Sequence, residues 1–346
     1  MKTKYSYKGK EIFPVIEVYH DVMPYLGGIS MRDFFLDKKK CADAQKAGRE
    51  KIEKYFGKTG PNRAVSGPPL SYCHLSCLGA EIDYPVEADP NVRHLFTDIH
   101  EALDRIQELK SVNFDTQPIT ARYKEINTYL QKTFPDQQIS LLSGFGAQGP
   151  LTSAVLLRGQ DFILDAIDYP AETKKFLTLL TDSIIAFRKY VNEMNGLPAV
   201  SPEGSGLCDD FASLFSPDMW PEFVLPYWNQ LLSGLTTGKN RTVHCENLSP
   251  AHLTHLSGAK ITHYQPSVSD LLTIENVKAN TGIPFDWLLY SYRITAMNDE
   301  EIQNWVDTAV KAGISIIRTQ FGEYTVKAEK LDRIKSFLKA FEKYRV

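Results

Sequence analysis

Within Arg-Thr-Val-His-Cys-Glu-Asn-Leu, residues 241–248, His244 and Glu246 stand two positions apart. Val243 and Cys245 beside them predict a short buried strand. Strand side chains alternate between faces, so the imidazole and the carboxylate point the same way. Such a pair at a strand end supplies half of a metal site. It equally describes a buried histidine hydrogen-bonded to a neighbouring carboxylate. Cys245 falls on the opposite face unless the strand bulges there. Asp209 and Asp210 follow a predicted strand over 197–207. Paired carboxylates in that place could act as general acid, support a metal, pair with a guanidinium, or cap the helix that follows.

Other polar groups recur at strand ends. Tyr19, His20 and Asp21 close a β-branched run over 12–19, and His263 and Gln265 share a face of a strand over 260–265. Tyr290 ends a strand over 284–291, and Arg318 and Gln320 share a face over 314–321, with Glu323 just beyond. As histidines, His20 and His263 are candidate proton carriers, or satisfied residues of the wall. Phe145 lies in the segment Gly-Phe-Gly-Ala-Gln-Gly-Pro-Leu-Thr, residues 144–152, after a strand over 138–145. That segment lacks the Lys-Ser/Thr ending of a phosphate-cradling loop, so its glycines are read as permitting close backbone approach to a ligand or a neighbouring helix. Cys73 and Cys77, on a predicted strand over 70–78, are four positions and therefore about 13 Å apart along an extended chain. They are read as core residues.

These groups need a scaffold that gathers them. The chain has 346 residues, 43% of them hydrophobic, and roughly 250 residues already suffice for a barrel of alternating strands and helices. A formal net charge of -3, with no basic block interleaved with aromatics, argues against nucleic acid or an anionic membrane as partner. Five cysteines form an odd and sparse set; with the polar opening Met-Lys-Thr-Lys-Tyr they predict a cytoplasmic protein with reduced thiols. No run reaches the roughly 18 apolar residues of a membrane span. Helical patterns over 31–55 (capped by Ser30), 97–110, 116–133, 171–194, 216–238, 249–256, 268–280, 298–312 and 326–344 alternate with the strands, and 57–69 reads as a loop. Eight candidate strands, no internal repeat and no low-complexity linker predict one domain over 1–346: an α/β fold, a single (β/α)8 TIM barrel with N-terminal helical additions. In that fold the carboxyl ends of the strands meet at one mouth, where active sites sit.

The order of segments resembles the uroporphyrinogen decarboxylase superfamily, which also contains zinc-dependent methyltransferases acting on corrinoid cofactors or thiols. The likeness covers most of the chain. It is carried by the segment from Gly144 to Ala154, by Asp209-Asp210-Phe211-Ala212-Ser213-Leu214-Phe215-Ser216-Pro217 leading to Phe223 and Pro226-Tyr227, by the helix start Ser30-Met31-Arg32-Asp33-Phe34-Phe35, and by His244-Cys245-Glu246-Asn247 where the methyltransferases carry a His-x-Cys zinc pair. Decarboxylases of the family bear Arg-Gln-Ala-Gly-Arg-Tyr after the first strand, whose arginines bind porphyrinogen carboxylates. Here that place reads Tyr19-His20-Asp21-Val22-Met23-Pro24-Tyr25, with no arginine before Arg32. Without guanidiniums, a substrate of eight carboxylates would meet a cost of several kcal/mol per unpaired buried group.

The resemblance therefore implies a metal-assisted methyltransferase more readily than a porphyrinogen carboxy-lyase, with a non-catalytic ligand-binding barrel as a third reading. Its implied zinc would rest on His244 and Glu246, with Gln320 or Glu323 as third ligand. Asp209, Asp210, His20 and His263 are the expected catalytic groups, and Tyr19, Phe145, Gln265, Tyr290 and Arg318 the expected substrate contacts. The family analogy implies a small-molecule substrate, a corrinoid carried on a partner protein, and a homodimer.

Overall fold

The computed structural model describes residues 4–57, 60–61 and 64–346. Four of the residues in the expected loop over 57–69 (Lys58, Thr59, Asn62 and Arg63) lie outside the described part. A hairpin of β1 (Tyr5–Tyr7) and β2 (Lys10–Val18) opens the chain, and a two-residue pair, β3 (Ile82–Asp83) and β4 (Asn91–Val92), follows. The strands that matter for function are β5 (Gly204–Cys208), β6 (Asn240–His244), β7 (His263–Gln265), β8 (Trp287–Leu289) and β9 (Ile316–Phe321). β2, β9 and β8 form parallel neighbours, as do β5, β6 and β7. A parallel bridge from Tyr264 to Phe285 joins the two groups. On the far side, the amide of Gly149 donates to the Cys208 carbonyl at 2.6 Å, and Phe145 bridges Leu70 in parallel. The result is an arc of parallel segments with helices outside, as alternating elements with crossover connections require.

Side-chain alternation sorts the strands into two environments. Leu207, Val243, Tyr264, Leu289, Ile317 and Phe321 are buried on the outer face beneath the helices, in cores anchored by Trp220, Trp228, Phe337 and Phe341 on one side and by Phe34, Tyr123 and Phe187 on the other. The inner face is polar. One rung, in register, is Cys208, His244 and Gln265, and the rung below it is Gly206, Thr242 and His263. A closed (β/α)8 barrel is ordinarily filled by branched aliphatic side chains; the inner face of this arc carries charged groups and open space instead.

Several elements depart from the sequence expectation. Residues 70–78 form a helix, Cys73–Cys77, with only Leu70 and Tyr72 bridging Phe145 and Ala147. Cys73, His74, Leu75 and Cys77 are all buried, and a short run buried on every side carries no period to separate helix from strand. Residues 138–145 form no strand: 141–144 are a turn and Phe145 makes a single bridge. The helix foreseen over 31–55 is two, Met31–Leu36 and Lys38–Phe56, because Asp37 leaves the helical region and its carboxylate caps the amides of Lys39 and Lys40. The C-terminal helix is likewise divided, into Glu323–Lys327 and Leu331–Lys339, with Glu329 at φ 55° between them. Ser30 caps its helix as foreseen, accepting from Asp33 N at 3.1 Å.

Candidate active site

β6 ends at His244, earlier than the strand read over 241–248, yet His244 and Glu246 still converge: His244 Nε2 lies 3.7 Å from Glu246 Oε1. Asp210 joins them, with Oδ1 3.4 Å from the same nitrogen and accepting from the Glu246 amide at 3.0 Å. Gln265, beside His244 in the rung, fixes the tautomer. Its amide nitrogen donates to Glu17 Oε1 at 3.2 Å, which turns its carbonyl oxygen toward His244 Nδ1, 3.0 Å away. An amide oxygen only accepts, so Nδ1 carries a hydrogen, and Nε2 is the ring nitrogen that faces the two carboxylates and the cavity.

Glu246 is held in turn by Ser267, whose hydroxyl donates to Oε1 at 2.7 Å. Asn247 and Ser267 both adopt positive φ, 58° and 45°. Such backbone persists in non-glycine residues only where the surroundings impose it. Here it folds the two loops together through Asn247 N to Val268 O at 2.9 Å. Buried Tyr290 clamps the second loop: its hydroxyl donates to Ser267 O and accepts from Ser269 N at 3.0 Å. Tyr290, foreseen as a substrate contact, thus positions the loop that holds Glu246.

The two aspartates part company. Asp209 is fully buried and accepts from Thr152 N at 2.7 Å, Leu151 N at 3.3 Å and Trp228 Nε1 at 2.7 Å. It serves as the N-terminal cap of the helix Pro150–Arg158, whose own N-cap, Gly149, has no side chain. A Cβ on Gly149 would meet the Asp209 side chain at 2.5 Å, so this glycine exists to let the carboxylate in, as expected of the 144–152 segment. Burial pushes the Asp209 carboxyl up to about 6, partly offset by these donors. Cys245 points away from the cavity, its Sγ donating to Asp209 O at 3.2 Å, and burial holds its thiol well above the ordinary range.

Below the rim runs a charged chain that sequence reading did not assemble. Arg318 donates to Glu17 Oε1 at 2.6 Å and to Asp286, and His263 Nε2 lies 2.6 Å from Asp286 Oδ1. Glu17, next to last in β2, and Asp286, just before β8, were missed because each stands among apolar neighbours; the same-face spacing of Glu17 with Tyr19 was the available signal. Arg318 and His263 therefore spend their polarity on each other's partners. Gln320 donates to Tyr19 Oη at 2.6 Å and its carbonyl accepts from Ser291 N. Glu323 accepts from Tyr25 at 2.7 Å and Lys327 at 2.9 Å, and His20 pairs with Asp89 at 2.8 Å. The foreseen third ligands and His20 are thus engaged away from His244.

A cavity of about 480 Å³ lies under this rim, lined by His244, Gln265, His263, Asp286 and Arg318 on the polar side and by Phe145, Phe187 and Val191 on the apolar side. That is the size and mixed lining of a small-molecule site. Phe145 is where the sequence placed it. Arg188, in the same lining, was missed because it belongs to a helix rather than to a strand end.

Polar groups converging at the carboxyl ends of parallel strands, over an interior cavity, define the class of α/β proteins that bind ligands at that face. The model of the uroporphyrinogen decarboxylase (URO-D) family matches residues 67–280, more than half of the chain, and the chain belongs to that family. Among solved structures, a methyltransferase from Methanosarcina mazei is similar at a TM-score of 0.66 and 16% identity, with 96% of this chain and 94% of that one covered. At that identity the likeness concerns the fold. No curated protein matches the sequence. Among the described residues no helix is long and apolar enough to cross a membrane.

Proposed function

We propose that the arc closes as a (β/α)8 barrel and that the chain is a methyltransferase of small molecules, with His244 as general base. The observation that carries this reading is the convergence of His244 Nε2 with Asp210 and Glu246 at the mouth of the cavity. A proton taken from an acceptor's thiol, hydroxyl or amine onto Nε2 would rest between two carboxylates, and the freed heteroatom would attack the methyl carbon. The methyl group leaves its donor without the bonding electron pair. A corrinoid on a separate protein, docking over the mouth, is the donor the family likeness favours.

A zinc site needs three or four ligands aimed at one point. Among the described residues no three His, Cys, Asp or Glu side chains are arranged to hold a metal, and Gln320 and Glu323 have other partners. With the foreseen third ligands engaged elsewhere, the reading proposed above runs through side chains alone. Metal analysis of protein purified without chelator tests this: no stoichiometric zinc is expected, and zinc lost on His244→Ala would overturn it.

The carboxy-lyase reading is weaker on geometry. Arg318 is already neutralised by two carboxylates, and Arg293 is exposed to solvent. Turnover with methylcobalamin as donor and a panel of thiols, amines and phenols as acceptors, followed by mass spectrometry of the product, tests methyl transfer. His244→Ala should lower the rate about 100-fold while leaving the melting curve in place. Product formed at an undiminished rate by the variant would sink the assignment of His244.

A further inference from the structure

Arg188 lies near the end of the long helix Pro170–Met194 and reaches the cavity where Phe145, Gly146 and Ala147 stand apart from β5. Its Nη1 donates to Gly206 O at 2.7 Å and its Nη2 to Ser205 Oγ at 3.3 Å. Both acceptors are neutral. No carboxylate of the described residues lies within ion-pair distance of it, in contrast to Arg318 a few rungs away, which has two. The ionisable group whose field acts on Arg188 is the Cys208 thiol, and burial pushes that thiol up to about 11, so it carries no charge at neutral pH. Burial also lowers the pKa of the guanidinium itself.

Arg188 is half-buried, and a guanidinium drawn even partly out of water without a counter-charge carries a desolvation cost. Proteins keep such a group where a ligand supplies the missing anion. Phe145, Phe187 and Val191 line the apolar side of the same cavity. We infer that the cavity is built for a small molecule bearing one carboxylate, paired with Arg188, whose apolar or aromatic body lies against Phe145 and Phe187. A monoanion matches a single guanidinium that has already committed two of its donors. A phosphate dianion would need further donors that the wall lacks. A porphyrinogen, with eight carboxylates, would leave most of its charge unpaired. Which end of the ligand reacts rests on the reading of His244 above; the pairing with Arg188 does not.

The test is therefore an equilibrium one, with no turnover. Benzoate, its neutral isostere benzamide and inorganic phosphate are titrated into the intact protein and followed by calorimetry or ligand-observed NMR. Benzoate should bind at least about tenfold more tightly than benzamide, and phosphate should bind more weakly than benzoate. In Arg188→Met the preference for benzoate should vanish, and Arg188→Lys, which keeps the charge, should restore part of it. The ratio in the wild-type protein needs no variant to fold. Equal affinities for benzoate and benzamide, tighter binding of phosphate, or an undiminished preference in Arg188→Met would each overturn the assignment. Binding that survives while every methyl-transfer assay fails would leave this inference standing and remove only the proposed reaction.

Discussion

Replacing Asp209 by Ala is expected to destabilise the fold by about 3 to 5 kcal/mol, measured by urea unfolding at pH 5. The carboxylate satisfies three buried donors at once, Leu151 N, Thr152 N and Trp228 Nε1. Alanine would orphan all three, each at roughly 1 to 3 kcal/mol before relaxation. Asp210→Ala should cost under about 1 kcal/mol, because Asp210 is partly solvated and its main partner is one backbone amide. Equal costs for the two variants would contradict the division of labour between these neighbours.

Asp209 also sets a pH dependence. Its carboxyl moves from 3.8 to about 6 on folding, so the folded state holds the proton more tightly than the unfolded one. Its contribution to stability is fully present below about pH 4 and is lost as the pH rises through 6, by about 3 kcal/mol in all. The stability of the wild type relative to Asp209→Asn should fall by that order between pH 4 and pH 8. A difference that stays flat would show that the capping amides hold the carboxylate charged throughout.

Arg318→Met should be the second costly substitution, at about 3 to 5 kcal/mol. Arg318 stands between Glu17 and Asp286, and Asp286 is only 1% exposed. Removing the cation leaves buried Asp286 and half-buried Glu17 without it; among the described residues His263 and Gln265 remain bonded to them. Adding Asp286→Asn to Arg318→Met should recover part of the loss, since it removes one of the stranded charges. A double variant less stable than the single one would mean that Asp286 is held by His263 alone.

The sequence by itself carried the alternation of strands and helices, because a strand beneath helices must be apolar on its outer face and a helix must bury a stripe. It also carried the polar groups in or just past the strands: His244, Glu246, Asp210, Gln265 and His263 lie about one cavity or its rim, with Phe145 on the apolar side. Strand periodicity fixes which neighbours share a face, and that is local information.

Only the tertiary structure decided what each polar group does, because hydrogen-bond partners come from distant parts of the chain. Nothing near Asp209 in sequence announces that a glycine 60 residues earlier leaves a helix start for it to cap. Nothing near Arg318 announces Glu17, 301 residues away, and nothing near Glu323 announces Tyr25. Arg188 is the sharpest case. A helical arginine ordinarily reads as a solvated face, and it becomes a candidate anion receptor only because its helix brings it to the cavity that Phe145 and β5 also line.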